Sequence, residues 1–319
     1  MDNGNKERIT LGRSDISISP LGTGTWSWGD RLIWGFGRGY RDEDVAEAFK
    51  TSLDMGINFF DTAESYGRGR SETFLGKFVR ESSQPVVVAT KYMPYPWRLW
   101  KSRLIQALKA SLKRLNMSSV DLYQVHWPFP PIPVETWAEG LADAVEMGLA
   151  RAVGVSNYNE EQMRRAYSTL AARGVHLTSN QVEFHLLKRK VELNGLLKAC
   201  QDLGVTLIAY SPLAQGGLTG KYTPDNPPPG LRGRRYPRAY LERIQPLLHQ
   251  MQEIGEAHGG KTLAQVAINW CICKGTVPIP GAKTSSQASE NAGGFGWRLE
   301  DKEVAALDNI SLALQSNGR

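Results

Sequence analysis

Cysteine is scarce in this chain. Cys200, Cys271 and Cys273 are the only three in 319 residues. Cys271 and Cys273 stand two apart in an apolar, helix-like stretch, so their side chains point to different sides. There is no CxxC pair and no Cys/His cluster, which argues against a disulfide framework and a zinc site and makes a reducing compartment the expected setting. Long apolar runs are also missing. Nothing approaches the roughly 18 residues of a membrane span, so no membrane contact is expected. Runs of one charge are absent too. Lys and Arg number 38 against 32 Asp and Glu, a net charge of +6, and the basic residues are spread along the chain. That distribution favours a small anionic ligand over nucleic acid. The opening residues, MDNGNKERITLG, contain no apolar h-region and are not rich in Arg and Ser, so no signal or transit peptide is expected in them.

Several familiar site signatures are incomplete. Gly22-Thr23-Gly24 begins a dinucleotide fingerprint but continues Thr25-Trp26-Ser27, without the third glycine. Gly35-Phe36-Gly37 has no strand before it. Gly216 to Lys221 resembles a phosphate loop with the wrong spacing, and Tyr222 stands where Ser or Thr would hold magnesium. The histidines (His126, His176, His185, His249 and His258) form no HExxH or other metal pair, and no GxSxG is present. No metal site is expected.

What is present is alternation. Hydrophobic residues make up 41% and charged residues 22%, as in a globular protein. Short apolar runs at Ile18 to Gly22, Phe59 to Asp61, Val86 to Thr90, Asp121 to His126, Ala152 to Ser156, Ser179 to Glu183, Thr206 to Tyr210 and Val277 to Pro280 read as strands. Helical patterns fall between them: Asp42 to Met55, Ser71 to Arg80, Trp100 to Leu115, Val134 to Met147, Glu160 to Ala172, Val191 to Leu203, Leu241 to His258 and Leu263 to Cys273. Eight strand-helix units in a chain of this length predict one domain, residues 1–319, folded as an α/β (β/α)8 TIM barrel. Residues 7–20 read as an N-terminal β-hairpin that plugs the barrel bottom. Long loops at 26–40 and 214–238 belong to the C-terminal face, and EVAALDNISLAL reads as a final outer helix.

Several strands end in polar residues: Asp61, Lys91, His126, Ser156 with Asn157, Gln181 with Glu183, and Tyr210 with Ser211. Helix capping accounts for a Ser or an Asp there. It does not account for Lys91 and His126 on adjacent strands. In a parallel barrel such ends converge on the active site. Asp61, Tyr66, Lys91 and His126 would then share one small volume, and that set suits proton donation by a phenol. A free tyrosine, with a pKa of about 10, is a poor acid at neutral pH. The Lys91 ammonium is expected to lower that value, with Asp61 holding Lys91 in place and His126 positioning a carbonyl.

At these residues the chain resembles the aldo-keto reductase superfamily. The matching stretches are LGTGTWSWG at 21–29, GINFFDTAESYG at 56–67, VATKY at 88–92, DLYQVHWP at 121–128, GVSNYN at 154–159, NQVEFH at 180–185, IAYSPLAQGGLTGKY at 208–222 and IPGAKTSSQASEN at 279–291. They span nearly the whole chain in the family's order. The resemblance implies NADPH-dependent reduction of aldehydes or ketones, with Tyr66, Lys91, Asp61 and His126 as the catalytic tetrad and no metal. It implies that NADPH/NADP+ lies extended across the barrel mouth. Ser156, Asn157 and Gln181 would hold the nicotinamide carboxamide, and Tyr210 would stack on its ring. Gly24, Thr25, Trp26 and Asp61 would face the cofactor from the first strands, with Ser211 beside Tyr210. Leu213, Gly217 and Lys221 would fold over the pyrophosphate, and Glu290 and Asn291 would meet adenine.

The phosphate end departs from the common IPKS form. Gly281 follows the proline, Lys283 comes two residues later, and Gln287 occupies a position often held by Arg. The IPGAKT form resembles bacterial, plant and potassium-channel-subunit branches. Lys283 and Thr284 would clasp a 2′-phosphate, and Arg232, Arg234, Arg235 and Arg238 are further candidates. Trp26, Trp28, Tyr66, His126, Trp127 and the loop from Arg31 to Tyr40 would wall the substrate pocket. That aromatic wall suits flat or apolar carbonyl compounds without naming one, and leaves pyridoxal, methylglyoxal-type and lipid-derived aldehydes all open. The alternative within the same fold is a redox-sensing or regulatory subunit that binds NADPH and turns over slowly. A small carbonyl compound is the expected partner, in the cytoplasm or, for a processed or plant-type form, in an organelle stroma.

Overall fold

A computed structural model describes residues 7–228, 233–234 and 236–316. Two short strands, β1 (Ile9–Thr10) and β2 (Ser17–Ile18), pair antiparallel as a hairpin. Eight parallel strands follow: β3 (Gly22–Gly24), β4 (Phe59–Asp61), β5 (Val87–Tyr92), β6 (Val120–Val125), β7 (Ala150–Ser156), β8 (Leu177–Glu183), β9 (Thr206–Tyr210) and β10 (Val277–Ile279). Each pairs with the next in sequence order. The ring closes where Gly24 bridges Gly281 and its N–H donates to the Pro280 carbonyl at 3.0 Å.

Helices cover the outside. The first five are α1 (Asp42–Asp54), α2 (Arg70–Glu81), α3 (Lys101–Leu115), α4 (Val134–Glu146) and α5 (Glu160–Ala172). After β8 come α6 (Lys190–Leu193) and α7 (Leu196–Leu203), and after β9 come α8 (Arg238–Ala257) and α9 (Leu263–Cys273). The chain ends on α10 (Ser285–Ala292) and α11 (Asp301–Ser316). Local sequence explains the starts: Asn159 with Gln162, and Thr262 with Gln265, form reciprocal capping boxes at α5 and α9. Among the described residues, no helix is long and apolar enough to cross a membrane.

The barrel interior is a packed plug. Phe59, Val87, Ala89, Leu122, Ala152 and Ile208 meet Leu11, Ile16 and Ile18 of the hairpin segment. Burying each such large side chain contributes about 1.5–3 kcal/mol. Gly12, at φ 56°, lets the hairpin turn press against the barrel: a Cβ there would lie 2.4 Å from the Thr178 carbonyl oxygen. With the bottom filled, the described residues leave their large cleft at the C-terminal face.

Three expectations need correction. The first barrel strand is Gly22–Gly24, not Ile18 to Gly22, because Ile18 pairs in the hairpin. This strand carries little apolar signal since it must be thin: a Cβ on Gly22 would meet Phe59 Cδ1 at 2.6 Å. The helix expected over Val191 to Leu203 is broken at Gly195, which adopts φ 86°. Residues 285–292, expected only to touch a ligand, form a helix capped by Thr284.

Candidate active site

The open face holds a cleft of about 840 Å³. Its floor is polar. Lys91 is fully buried within β5 and spends its three donors on one cluster. Its Nζ donates to Asp61 Oδ1 at 2.5 Å, to the Thr62 carbonyl at 2.8 Å and to the Tyr66 hydroxyl at 3.4 Å. Tyr66 begins a tight turn in which Gly67, Arg68 and Gly69 all take positive φ. Gly67 packs so close to Gly29 that a Cβ would sit 2.9 Å from its backbone. That contact seats the phenol against the loop after β3, where Trp26 stacks on Tyr66 at 6.1 Å. His126 meets Tyr66 edge-on at 5.8 Å. The four expected residues therefore do converge, with Asp61, Tyr66 and His126 lining the cleft and Lys91 beneath them.

Electrostatics correct one expectation. Burial pushes the Tyr66 phenol up, Lys91 pulls it down and Asp61 pushes it up again; the balance lies above the ordinary value, not below it. Lys91 offsets the effect of burial without overcoming it. Burial pulls the Lys91 ammonium down, but Asp61 and Tyr66 more than compensate, so it is held above its usual value. His126 is pulled down to about 3, first by burial and then by Lys91. It is neutral at physiological pH. Its Nδ1 is sealed from solvent and has no hydrogen-bond partner among the described residues.

Asp61 Oδ2 accepts from two amides, Gln181 Nε2 at 2.8 Å and Gln124 Nε2 at 3.3 Å. The Ser179 hydroxyl donates to Gln124 Oε1 at 3.3 Å. Gly154 leaves the room: a Cβ there would lie 2.2 Å from Ser179 Oγ. Sequence reading missed Gln124. The signal was period-two alternation, since Gln124 stands two before His126 on β6 and shares its face.

The other expected residues divide. Ser156 and Asn157 end β7 in the cleft, where Asn157 holds φ 62° and donates to the His126 carbonyl at 3.0 Å. The Tyr210 hydroxyl donates to Asn157 Oδ1 at 3.0 Å. Gly24, Trp26, Gln181 and Trp127 line the same cleft, as do Ser211, Leu213 and Lys221. So do Lys283, Gln287, Glu290 and Asn291 at its far end. Ser211, Ala214 and Gln215 add three more positive-φ residues in the loop after β9. Such strain clusters at ligand-binding loops.

Four expected residues do not line the cleft. Thr25 is buried, and its hydroxyl pairs with the Asp61 carbonyl and Ser71. Gly217 packs under Tyr236. The Thr284 hydroxyl accepts from Gln287 N as the cap of α10. Trp28 does not wall the pocket: it is fully buried against Phe60 and Phe78, its indole donating to the Ala282 carbonyl at 2.8 Å. Of the arginine loop, Arg232 and Arg235 lie outside the described residues, Arg234 is exposed, and Arg238 starts α8 with bonds to Glu242 and Asp225. Glu183 turns to Lys188 and His185. Among the described residues no cluster of metal-ligating side chains occurs. Asp30, Ser65 and Met93 line the cleft without having been expected.

The same barrel recurs in known proteins. The profile of the aldo/keto reductase family matches residues 20–312. The chain belongs to that family. The enzyme is 44% identical over 315 residues to the chloroplastic pyridoxal reductase of Arabidopsis thaliana, covering 95% of this chain and 85% of that protein. It is 30% identical to L-glyceraldehyde 3-phosphate reductase of Escherichia coli K12, over 93% of this chain and 90% of the other. Among solved structures it resembles the glycerol dehydrogenase of Gluconobacter oxydans, with TM-score 0.84, 28% identity and coverage of 96% and 95%. A Klebsiella pneumoniae aldo/keto reductase solved with NADP and acetate matches with TM-score 0.75 at 29% identity, over 96% of this chain and 95% of that one.

Proposed function

We propose that this enzyme reduces aldehydes or ketones to alcohols with NADPH, Tyr66 supplying the proton. The observation that carries this is the Lys91 cluster, in which one buried ammonium contacts both Asp61 and the Tyr66 hydroxyl at the floor of an open cleft.

The cleft's donor set suits the dinucleotide along its length. Ser156, Asn157 and Gln181 offer amide and hydroxyl groups near the tetrad for a carboxamide. Lys221 and Lys283 offer cations for phosphates, and Glu290 and Asn291 offer polar edges for adenine. When bound, NADPH supplies a hydride to the carbonyl carbon. His126 is neutral, and the tautomer with its proton on Nε2 avoids a buried, unpaired Nδ1–H. It can donate to the carbonyl oxygen without giving up its proton. The phenol of Tyr66, kept protonated by burial, transfers its proton to that oxygen as negative charge develops. Lys91 stabilises the phenolate left behind, and Asp61 keeps the ammonium in place.

Following NADPH absorbance with a panel of aldehydes tests the reading. Turnover of roughly 1 per second or more is the expected enzyme range. No oxidation above background with any aldehyde would remove it.

A further inference from the structure

The barrel core changes character beneath the cleft. Phe59 of β4 and Leu122 of β6 belong to the packed apolar interior. Two residues further along the same strands, and so on the same face, stand Asp61 and Gln124. On β8 the residues that meet them are Ser179 and Gln181. Alternate strands of such a barrel contribute the side chains of one layer, and β4, β6 and β8 alternate in this sheet. Asp61, Gln124, Ser179 and Gln181 therefore form a polar layer over the apolar plug. All four are buried, Gln124 and Ser179 completely.

Buried amides and hydroxyls destabilise a core unless they are hydrogen-bonded. Here the bonds form one line. The Ser179 hydroxyl donates to Gln124 Oε1, and Gln124 Nε2 donates to Asp61 Oδ2, each at 3.3 Å. Gln181 Nε2 donates to the same Oδ2 at 2.8 Å. Asp61 Oδ1 accepts from Lys91, whose Nζ also reaches the Tyr66 hydroxyl. The line runs from β8 through β6 and β4 to β5 and ends on the phenol.

The two amides differ in one respect. Gln181 lines the cleft, and on the reductase reading it also meets the nicotinamide carboxamide. Gln124 does not line the cleft. It is the Oδ2 donor that an arriving cofactor leaves untouched. A methionine would fill its place with no polar group to satisfy, so packing alone does not account for an amide there.

We propose that Gln124 is a positioning residue for proton transfer, anchored by Ser179. It holds Asp61 Oδ2 so that Oδ1 stays on Lys91 and the ammonium stays within reach of Tyr66. The proposal rests on the reductase reading, in which Tyr66 gives the proton. Besides burial, the Asp61 charge pushes the Tyr66 phenol up. A donor on the far carboxylate oxygen draws on that charge and keeps the phenol a better acid.

The test uses the full chain with NADPH and an aldehyde that the parent reduces. Gln124→Met keeps the side-chain length and removes the donor. It also strands the buried Ser179 hydroxyl, which lowers stability. Adding Ser179→Ala removes the stranded group, so the double variant should be more stable than Gln124→Met. Catalysis should not follow stability. We expect kcat to fall on the order of tenfold in Gln124→Met and to stay down in the double variant. NADPH affinity, read by fluorescence titration, should stay near the parent value in both. A kcat that recovers together with stability makes Gln124 a structural residue and overturns the proposal. So does a parental kcat in Gln124→Met. If Gln124→Met does not fold, Ser179→Ala alone decides: it leaves the amide without its anchor, and kcat should fall about threefold or more at unchanged NADPH affinity. An unchanged kcat there overturns the assignment. Parent activity is measured first. A parent that reduces no aldehyde removes the reductase reading and the positioning role with it, whereas an active parent with unaffected variants removes the positioning role alone.

Discussion

The Lys283 ammonium lies 4.7 Å from the centre of the Trp34 ring, and its Nζ also donates to the Trp34 carbonyl at 3.3 Å. It lies the same distance from the Tyr40 ring. A cation over aromatic faces is stabilised by about 0.5–1 kcal/mol at a partly exposed site. A 2′-phosphate has to compete with that seat or share it. Lys283→Met should therefore weaken NADPH binding by about 1–2 kcal/mol, below the upper range for charged hydrogen bonds. NADH binding should barely change. Fluorescence titrations of both cofactors decide it, and equal losses would remove Lys283 from the phosphate site. The parent's NADPH affinity should also fall more steeply with salt than the variant's.

Lys91 pulls the Tyr66 phenol down against the effect of burial. Lys91→Met removes that pull, so whatever acidic group limits the surviving rate should titrate higher than in the parent. The variant also leaves Asp61 buried without its cation, a change of about 3–5 kcal/mol in stability. Single-turnover rates against pH, taken on protein shown to be folded, test the first point. An unshifted profile would mean that Lys91 does not tune Tyr66.

Glu72 offers a test of the scaffold apart from the chemistry. Its fully buried carboxylate accepts from Thr90 Oγ1 at 2.6 Å and from Arg114 Nε at 2.6 Å, joining α2 to β5 and α3. Glu72→Ala leaves the buried Thr90 hydroxyl without its acceptor and the partly exposed Arg114 without its anion, and should cost about 1–3 kcal/mol. Chemical denaturation should show that loss, while NADPH affinity of the folded fraction stays near the parent value. A loss below about 1 kcal/mol, the surface-pair range, would contradict the placement.

Much of the barrel was legible because strand and helix periods alternate cleanly, and α5 and α9 match the sequence reading residue for residue. The first barrel strand was not, because its glycines are selected by close packing against Phe59 and Ile279, not by hydrophobic pattern. The convergence of Asp61, Tyr66, Lys91 and His126 could be read because Lys91 and His126 are unusual residues at strand ends. Trp28 was misplaced because Trp26 and Trp28 sit in one aromatic loop, where composition does not say which ring turns inward. Gln124 gave no motif; its place follows from the Asp61 and Ser179 side chains that meet it in space. The direction of the Tyr66 shift was misjudged because sequence names the neighbouring cation but not the depth of burial that outweighs it.

His126 links the site to acid stability. Its folded pKa of about 3 lies well below the ordinary histidine value of about 6.5. Between those values the unfolded chain binds a proton that the folded protein refuses, so stability falls as pH drops. The slope from this residue is at most about 1.4 kcal/mol per pH unit. His126→Gln should flatten the stability profile between about pH 6.5 and 5, a window above most carboxylate titrations. Parallel denaturation curves at each pH would show it, and identical slopes for both proteins would mean that His126 is not held neutral.

Tyr66 is the proposed proton donor. Tyr66→Phe removes the hydroxyl that Lys91 contacts and little else. The direct measurement is kcat for aldehyde reduction by parent and variant, paired with NADPH binding to each. A drop of about 100-fold or more in turnover is expected, the scale of general acid catalysis, with cofactor affinity nearly unchanged. A variant that keeps most of its turnover would contradict the account.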